Sequence, residues 1–184
     1  MKVYVIRHGK VHYEWSARCT SAEFDRECME YDEAAVEPLE SRPTVGEFQD
    51  LYASTLPRSR ATAKMLFEGR KIKVTPLLDE VPLRSSRDTK KEKPLHYWDV
   101  MGRLQWSVNH PRQPEGRRRT RKRARRFVEM ICKEGVDCAV VTHGFYMQTL
   151  LREMQKAGFA MDKPRKNYKN GECVTAVFSD PPQG

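Results

Sequence analysis

The segment from Val3 to Gly9 has the sequence VYVIRHG, which joins an apolar run to three residues suited to phosphate chemistry. The four residues Val3–Ile6 predict a buried first strand. Arg7, His8 and Gly9 follow at its carboxyl end, where open α/β sheets bind ligands. Arginine offers a permanent charge and a planar fork of donors to phosphate oxygens. Imidazole can attack phosphorus, and glycine lets the backbone approach a ligand closely.

Three further segments pair an apolar run with reactive or phosphate-binding residues. A second His-Gly pair, in Thr142–Gly144, follows the strand-like run Asp137–Val141. The segment Ser54–Ala63, STLPRSRATA, follows the short apolar run Leu51–Ala53. The fourth segment is Leu77–Glu80, LLDE. Each segment alone is weak evidence, but the four together in this order are specific.

At these residues the chain resembles the histidine phosphatase superfamily, which has the phosphoglycerate-mutase-like fold. The family's motifs run Arg-His-Gly, then Ser-x-Leu-x-Arg with Thr-Ala four residues on, then Leu-x-Glu, then a second His-Gly. All four occur here in that order, and the resemblance covers Met1 to Ser179. It implies an α/β three-layer sandwich with a mostly parallel sheet flanked by helices and a last strand that is antiparallel near an edge. We expect one domain over residues 1–184.

Strand and helix patterns alternate along the chain, which independently favours βαβ units and a mostly parallel sheet. The expected strands are Lys2–Ile6, Asp50–Ala53, Ile72–Thr75, Asp137–Thr142 and Cys173–Phe178. The expected helices are Pro57–Phe67, Pro94–Asn109, Arg117–Lys133 and Phe145–Lys156, with Ser21–Tyr31 a weaker candidate inside the acidic segment Ser16–Ser41. Pro57 suits the first turn of a helix, so Arg58 is expected at a helix N-terminus, where an anion is favoured.

The resemblance implies a role for each residue of the phosphate pocket. His8 is expected to be the nucleophile, phosphorylated and then dephosphorylated by water. Arg7, Arg58 and His143 are expected to bind the transferring phosphoryl group, with His143 as a protonated donor because the phosphate's charge raises its basicity. Phosphoryl transfer needs such positioning and charge stabilisation above all.

The proton-transfer group is a carboxyl of the fourth segment. Glu80 matches the family's general acid and base, since Leu78-Asp79-Glu80 fits Leu-x-Glu, and its neighbour Asp79 is the alternative. Gly9 and Lys10 extend the Arg-His-Gly loop and are further candidates for substrate contact. A lysine at position 10 departs from the commoner family pattern, which has an acid or another polar residue there.

Composition indicates a globular protein, and the resemblance implies a site with neither cofactor nor metal. No stretch of about 20 apolar residues is present, so no membrane span is expected. The early apolar run is interrupted by Arg7 and does not fit a signal peptide, so we expect a cytoplasmic location. The five cysteines include no Cys-x-x-Cys pair, which argues against zinc and a disulfide framework. His8 and His12 are four residues apart, but no glutamate lies between them and the segment follows a strand, so a zinc helix is not expected.

The net charge of +9 favours anionic partners, and much of it comes from Arg117–Arg126, RRRTRKRARR. Nucleic acid is one such partner, although the run lacks the interleaved aromatic residues of a single-strand binder. A solvated helix face is the simpler interpretation. We therefore expect Arg118, Lys122 and Arg125 to be exposed and to lie outside the catalytic pocket.

Three functions are compatible with these patterns. The first is a metal-independent phosphatase that hydrolyses phosphomonoesters. The second is a phosphoglycerate mutase, although the family's mutases are mostly longer than this chain. The third is a basic module in which the site is vestigial and Arg117–Arg126 binds RNA or an acidic protein. The substrate is expected to be a phosphorylated small molecule or a phosphoprotein, and its identity is not predicted. Many family members have a Gly-x-Trp-Glu-Gly-type segment that shapes substrate choice, and this chain has Arg84–Asp88 in its place. The oligomeric state is not predicted.

Overall fold

The computed structural model describes residues 1–163 and 167–178. The rest of the expected domain, residues 164–166 and 179–184 with Ser179 among them, lies outside the described residues. The strands are β1 (Lys2–Arg7), β2 (Arg18–Cys19), β3 (Asp50–Ala53), β4 (Ile72–Val74), β5 (Lys93–Pro94), β6 (Cys138–Thr142), β7 (Phe159–Met161) and β8 (Cys173–Phe178). The helices are α1 (Ser21–Glu33), α2 (Pro57–Leu66), α3 (Leu95–Ser107), α4 (Arg117–Glu134) and α5 (Gly144–Lys156), and a 3₁₀ turn spans Pro76–Leu78.

Six strands form one sheet in the order β4-β3-β6-β1-β8-β7. The pairs β1–β6, β3–β6 and β3–β4 are parallel, whereas β8 is antiparallel to both β1 and β7. The expected α/β class, with a mostly parallel sheet and a last strand antiparallel near an edge, is confirmed. The edge itself is β7, a three-residue strand that the sequence did not predict.

Helices cover both faces of the sheet because its central strands are apolar on both faces. On one face, Val3 and Val5 of β1 pack with Phe127 of α4 and Leu150 of α5. On the other face, Ile6 and its neighbours pack with the apolar side of α2. These two cores make the three layers, and parallel strands buried in this way have continuous apolar sequences.

The weaker helix candidate in the acidic segment is confirmed and is longer than expected. α1 has a capping box in which the Thr20 side chain accepts from Glu23 N and the Glu23 side chain accepts from Thr20 N. Next to it, β2 and β5 form a separate two-stranded sheet that the sequence did not predict. No helix in the described ranges is long and apolar enough to cross a membrane.

Candidate active site

Two histidines meet because β1 and β6 are neighbouring parallel strands in matched register. Arg7 is paired with Thr142, so His8 and His143 are the first residues beyond the two strands. Their ring centroids are 5.0 Å apart. The two His-Gly motifs, 135 positions apart in the chain, therefore form one site at the carboxyl edge of the sheet, as the sequence predicts.

His8 is held as a neutral imidazole with one nitrogen unprotonated. The ring is buried, and its Nδ1 lies 2.7 Å from the carbonyl oxygen of Gly9. Because a carbonyl only accepts, Nδ1 carries the proton and Nε2 keeps its lone pair. Burial, and then the charge of Arg58, lower the pKa of His8 from 6.5 to about 3. The ring is consequently unprotonated at Nε2 at any pH near neutrality.

The loop that carries His8 is fixed by hydrogen bonds from distant segments. Gly9 N donates to Thr62 Oγ1 at 2.9 Å, and Thr62 Oγ1 donates to Arg58 O at 2.8 Å. Thr62 is the threonine of the Thr-Ala motif, so that motif joins α2 to the loop. The Asn170 side chain donates to His8 O at 3.0 Å and to Gly9 O at 3.1 Å. The sequence did not predict this role of Asn170.

Arg58 is fully buried at the N-terminus of α2 and is fixed from two sides. Its Nε donates to His143 Nδ1 at 3.2 Å, and its Nη1 donates to Asp32 Oδ1 at 2.8 Å. Its guanidinium also lies 5.0 Å from the centroid of the Tyr31 ring, a cation–π distance. No described residue accepts a hydrogen bond from Nη2, which leaves a donor for a ligand oxygen.

The contacts of His143 fix its tautomer. Arginine can only donate, so Nδ1 accepts, and in the neutral ring the proton lies on Nε2 and is donated to Ser54 Oγ at 2.7 Å. Burial, followed by the neighbouring His8 and Arg58, lowers the pKa of His143 well below its usual value. The protonated donor that the resemblance implies is therefore not the form favoured by this arrangement without a phosphate.

Arg7 has a buried donor without a protein partner. Its Nη1 donates to Tyr168 O at 2.6 Å, but its Nε is buried with no hydrogen-bond partner among the described residues. A Cβ at Gly144 would lie only 2.7 Å from this Nε, so the glycine of the second His-Gly motif makes room for the guanidinium. Arg7 as a whole lines the cavity, which places its guanidinium beside the position of a bound phosphate.

Both carboxyls of the fourth segment reach the site, in different settings. Glu80 Oε1 accepts from Tyr146 N and Val81 N, both at 2.8 Å, and Glu80 Oε2 accepts from Phe145 N at 3.2 Å. Glu80 therefore occupies the N-terminus of α5, which would otherwise bind an anion. Asp79 accepts from the backbone and the hydroxyl of Thr55, both at 2.7 Å.

Lys10 is not brought to the site. Its exposed amine forms a 3.0 Å ion pair with Glu37 and does not line the cavity at His8. Gly9, by contrast, is buried beside His8, and a Cβ there would lie 2.8 Å from Val36 Cγ1.

The arginine-rich helix α4 is mostly surface, with one exception. Arg118, Lys122 and Arg125 are exposed and lie outside the cavity, as expected. Arg125 is nevertheless not a simple solvated charge, since it pairs with the buried Glu153 at 2.7 Å. Arg123 does line the cavity: its Nη1 donates to Asp79 O at 2.6 Å. Arg123 lies beside Ala124 and four residues before Phe127, at the margin of the apolar face of α4, and the sequence did not predict its place in the cavity.

One cavity of about 1340 Å³ is lined by the chemically important side chains Arg7, His8, Asp32, Arg58, Asp79, Glu80 and Arg123. Apolar side chains also line it: Trp15 before α1, Phe24 and Met29 in α1, and Leu83 in the segment after Glu80. In the described ranges, no group of three or more His, Cys, Asp or Glu side chains is placed to hold a metal ion.

The comparisons with known proteins identify the family. A family model for the histidine phosphatase superfamily, branch 1, matches residues 3–180. The chain belongs to this superfamily. No curated protein matches it significantly.

Solved structures show the same fold at low identity. A phosphoserine phosphatase variant from Entamoeba histolytica, in complex with phosphoserine, has a TM-score of 0.59 at 13% identity over 97% of this chain and 91% of that one. A putative alpha-ribazole-5'-P phosphatase from Escherichia coli has a TM-score of 0.58 at 16% identity, covering 97% and 95%. A phosphoglycerate mutase from Bacillus anthracis has a TM-score of 0.59 at 17% identity, covering 95% and 86%. These likenesses establish the fold and leave the substrate open.

Proposed function

We propose that the protein is a phosphatase that hydrolyses phosphomonoesters through a phosphohistidine intermediate on His8. The observation that carries this proposal is the hydrogen bond from His8 Nδ1 to the Gly9 carbonyl inside a buried pocket flanked by arginines. It leaves Nε2 unprotonated and able to attack phosphorus. Family membership and phosphatase neighbours support the same chemistry.

The first half-reaction transfers the phosphoryl group to His8. Nε2 forms a bond to phosphorus while the bond from phosphorus to the alcohol oxygen breaks. Arg7, which lines the cavity, and Arg58 Nη2 supply donors to the phosphoryl oxygens, while His143 holds the Arg58 guanidinium in place through Nδ1. The charges of the two arginines do the neutralisation, so we propose that no metal is needed. A chelator should leave turnover unchanged, and a strict requirement for a divalent cation would contradict this arrangement.

The second half-reaction returns the enzyme to its starting state. Water attacks phospho-His8, the bond from phosphorus to Nε2 breaks, and inorganic phosphate leaves. The Leu-x-Glu motif assigns to Glu80 both the proton given to the alcohol and the proton taken from water. The three amides that surround its carboxylate fit the second of these tasks directly, because a base must be ionised.

Hydrolysis is favoured over mutase-type transfer because water reaches the pocket. The side chain of Asp32, which is ion-paired with the buried Arg58, is 44% exposed. We propose that the substrate is a phosphorylated small molecule or a phosphoprotein. A phosphoglycerate substrate separates the two activities: a phosphatase releases inorganic phosphate, whereas a mutase returns the phosphoryl group to a second hydroxyl.

The covalent step is tested by trapping the intermediate. Brief mixing with a labelled phosphomonoester should give a phosphoprotein that is acid-labile and base-stable. His8→Ala should lose both label and turnover. His12→Ala is the matched control, because that imidazole is exposed beside Glu37. Label on serine or aspartate would overturn the mechanism. If the parent shows no turnover and His8→Ala still binds anions, the vestigial binding module is favoured.

A further inference from the structure

One carboxyl in the catalytic cavity has no place in the family motifs. Asp32 lies in the last turn of α1 and lines the same cavity as His8, Arg58 and Glu80. Its Oδ1 accepts from Arg58 Nη1 at 2.8 Å, whereas no described residue donates to its Oδ2. Oδ2 is thus open to a ligand, and the side chain, 44% exposed, can exchange protons with solvent.

The surroundings of Asp32 make its negative charge depend on Arg58. It lies at the C-terminal end of α1, where the helix dipole is unfavourable to an anion, and the last turn contains no basic residue. Glu33 and Glu80 add like charge, and Arg58 is the opposing cation. Burial is the largest influence and raises the pKa of the Asp32 carboxyl despite the ion pair. A phosphate dianion at Arg58 would offset the one charge that keeps Asp32 ionised.

Glu80 is in the opposite situation. Two backbone amides at the start of α5, those of Phe145 and Tyr146, and the amide of Val81 point at its two oxygens, and amides can only donate. Oε1 accepts two of these hydrogen bonds and has no lone pair left for a proton, whereas Oε2 accepts one and keeps a lone pair free. Three donors are complementary to a carboxylate, and the free lone pair of Oε2 is the place where Glu80 can take a proton from water.

We propose that Asp32 is the general acid of the first half-reaction and that Glu80 is the general base of the second. This inference rests on the proposed phosphatase function and divides between two carboxyls the role that the motif gives to one. The protonated Oδ2 of Asp32 gives its proton to the alcohol oxygen as the bond from phosphorus to that oxygen breaks. Glu80 then takes the proton of the attacking water. Asp32 regains a proton from solvent and Glu80 releases one, so the cycle balances.

The two carboxyls can be separated by leaving group and by the trapped intermediate. An alkyl phosphate has a poor leaving group that needs a proton, whereas p-nitrophenolate leaves with little help. Asp32→Asn should lose about 10²-fold or more in kcat/KM on the alkyl ester, the size of a general-acid contribution, but stay within about threefold on p-nitrophenyl phosphate. Glu80→Gln should slow both substrates alike and accumulate phospho-His8, because its defect follows the departure of the alcohol.

Controls distinguish this assignment from a structural role of Asp32. Glu30→Gln removes an exposed charge from the same helix and should leave turnover of both substrates unchanged. Asp32→Glu should recover part of the alkyl-ester activity. If Asp32→Asn loses activity equally on both substrates and binds vanadate more weakly, then Asp32 only positions Arg58 and the proposal is overturned. Selective loss of the alkyl ester in Glu80→Gln would return the acid role to Glu80.

Failure of this inference is distinguishable from failure of the proposed function. The parent enzyme and Asp32→Asn should both form acid-labile label on His8 from p-nitrophenyl phosphate. If the parent forms the label but Asp32→Asn slows the alkyl ester and p-nitrophenyl phosphate equally, only the Asp32 assignment is overturned. Absence of label from the parent overturns the phosphohistidine mechanism, and the Asp32 assignment with it.

Discussion

Arg58 Nε donates to His143 Nδ1 at 3.2 Å, and both side chains are completely buried. This bond fixes two things together: the tautomer of His143 and the direction of the guanidinium. Since Nε is used here and Nη1 is used by Asp32, Nη2 is the part of the fork that remains for a phosphoryl oxygen. The phosphate site is therefore built before any ligand arrives, as electrostatic stabilisation of a transition state requires.

Arg58→Ala should lower kcat/KM by about 10²-fold to 10³-fold, comparable to the removal of one donor to a transition-state oxyanion. Vanadate inhibition should weaken in parallel, because the same donor is lost for the analogue. Arg60→Ala is the matched control: it removes an exposed arginine from the same helix and should change neither quantity. Steady-state kinetics on p-nitrophenyl phosphate measure both. A small effect of Arg58→Ala would mean that Arg7 alone neutralises the phosphoryl group.

The sequence predicted the residues that lie next to strand ends and missed those brought in from elsewhere. His8 and His143 follow apolar runs directly, so chain position alone indicates that they meet. Asp32 and Asn170 reach the site through contacts that span 26 and 162 residues, and no local pattern encodes such contacts. The edge strand β7 has three residues, too few for a periodic pattern to be recognised.

Gly144→Ala should weaken phosphate binding by displacing Arg7. The added Cβ would lie 2.7 Å from Arg7 Nε and 2.8 Å from its Cζ, so the guanidinium must shift. Alanine is a good helix former at the first residue of α5, so a local helix effect does not explain a loss. We expect a higher KM and weaker competitive inhibition by inorganic phosphate, approaching the values of Arg7→Ala. Unchanged inhibition by phosphate would show that Arg7 does not bind the phosphoryl group.

His8→Asn should make the protein less sensitive to acid. The folded-state pKa of His8 is about 3, and its ordinary value is 6.5, so below pH 6.5 the unfolded chain binds a proton that the folded chain does not. Stability is therefore complete above pH 6.5 and is lost as the pH falls towards 3. At pH 5 the cost from His8 is about 2 kcal/mol. Asparagine can still donate to the Gly9 carbonyl, so the fold should persist.

Urea unfolding of the parent and of His8→Asn at pH 8 and pH 5 measures this difference. The parent should lose about 2 kcal/mol more than the variant between the two pH values. The pKa of His143 is lowered mainly by burial, which is present in both proteins. An identical loss in both proteins would indicate that His8 is protonated near its ordinary pKa, which would also weaken its assignment as a neutral nucleophile.

Substitutions on the outer face of α4 should not change turnover, whereas substitution of Arg123 on its inner face should. Arg118, Arg119 and Lys122 are exposed, so replacing all three with glutamine should leave turnover of a small substrate within about threefold, as expected for screened charges away from the site. Arg125 is left in place because it pairs with the buried Glu153. A larger anionic partner should associate more slowly with the triple variant, and the difference should fade as salt is raised.

Arg123→Gln supplies the contrast from the same helix. Arg123 donates to the carbonyl of Asp79, pairs with Glu115 at 3.0 Å and lies over the Tyr146 ring at 4.3 Å. Its loss frees the backbone just before Glu80, so turnover should fall by roughly tenfold or more, since small displacements of a catalytic group are costly. Thermal unfolding separates this effect from global destabilisation. A collapse of small-substrate turnover in the triple variant, with the fold intact, would mean that the outer face of α4 also reaches the site.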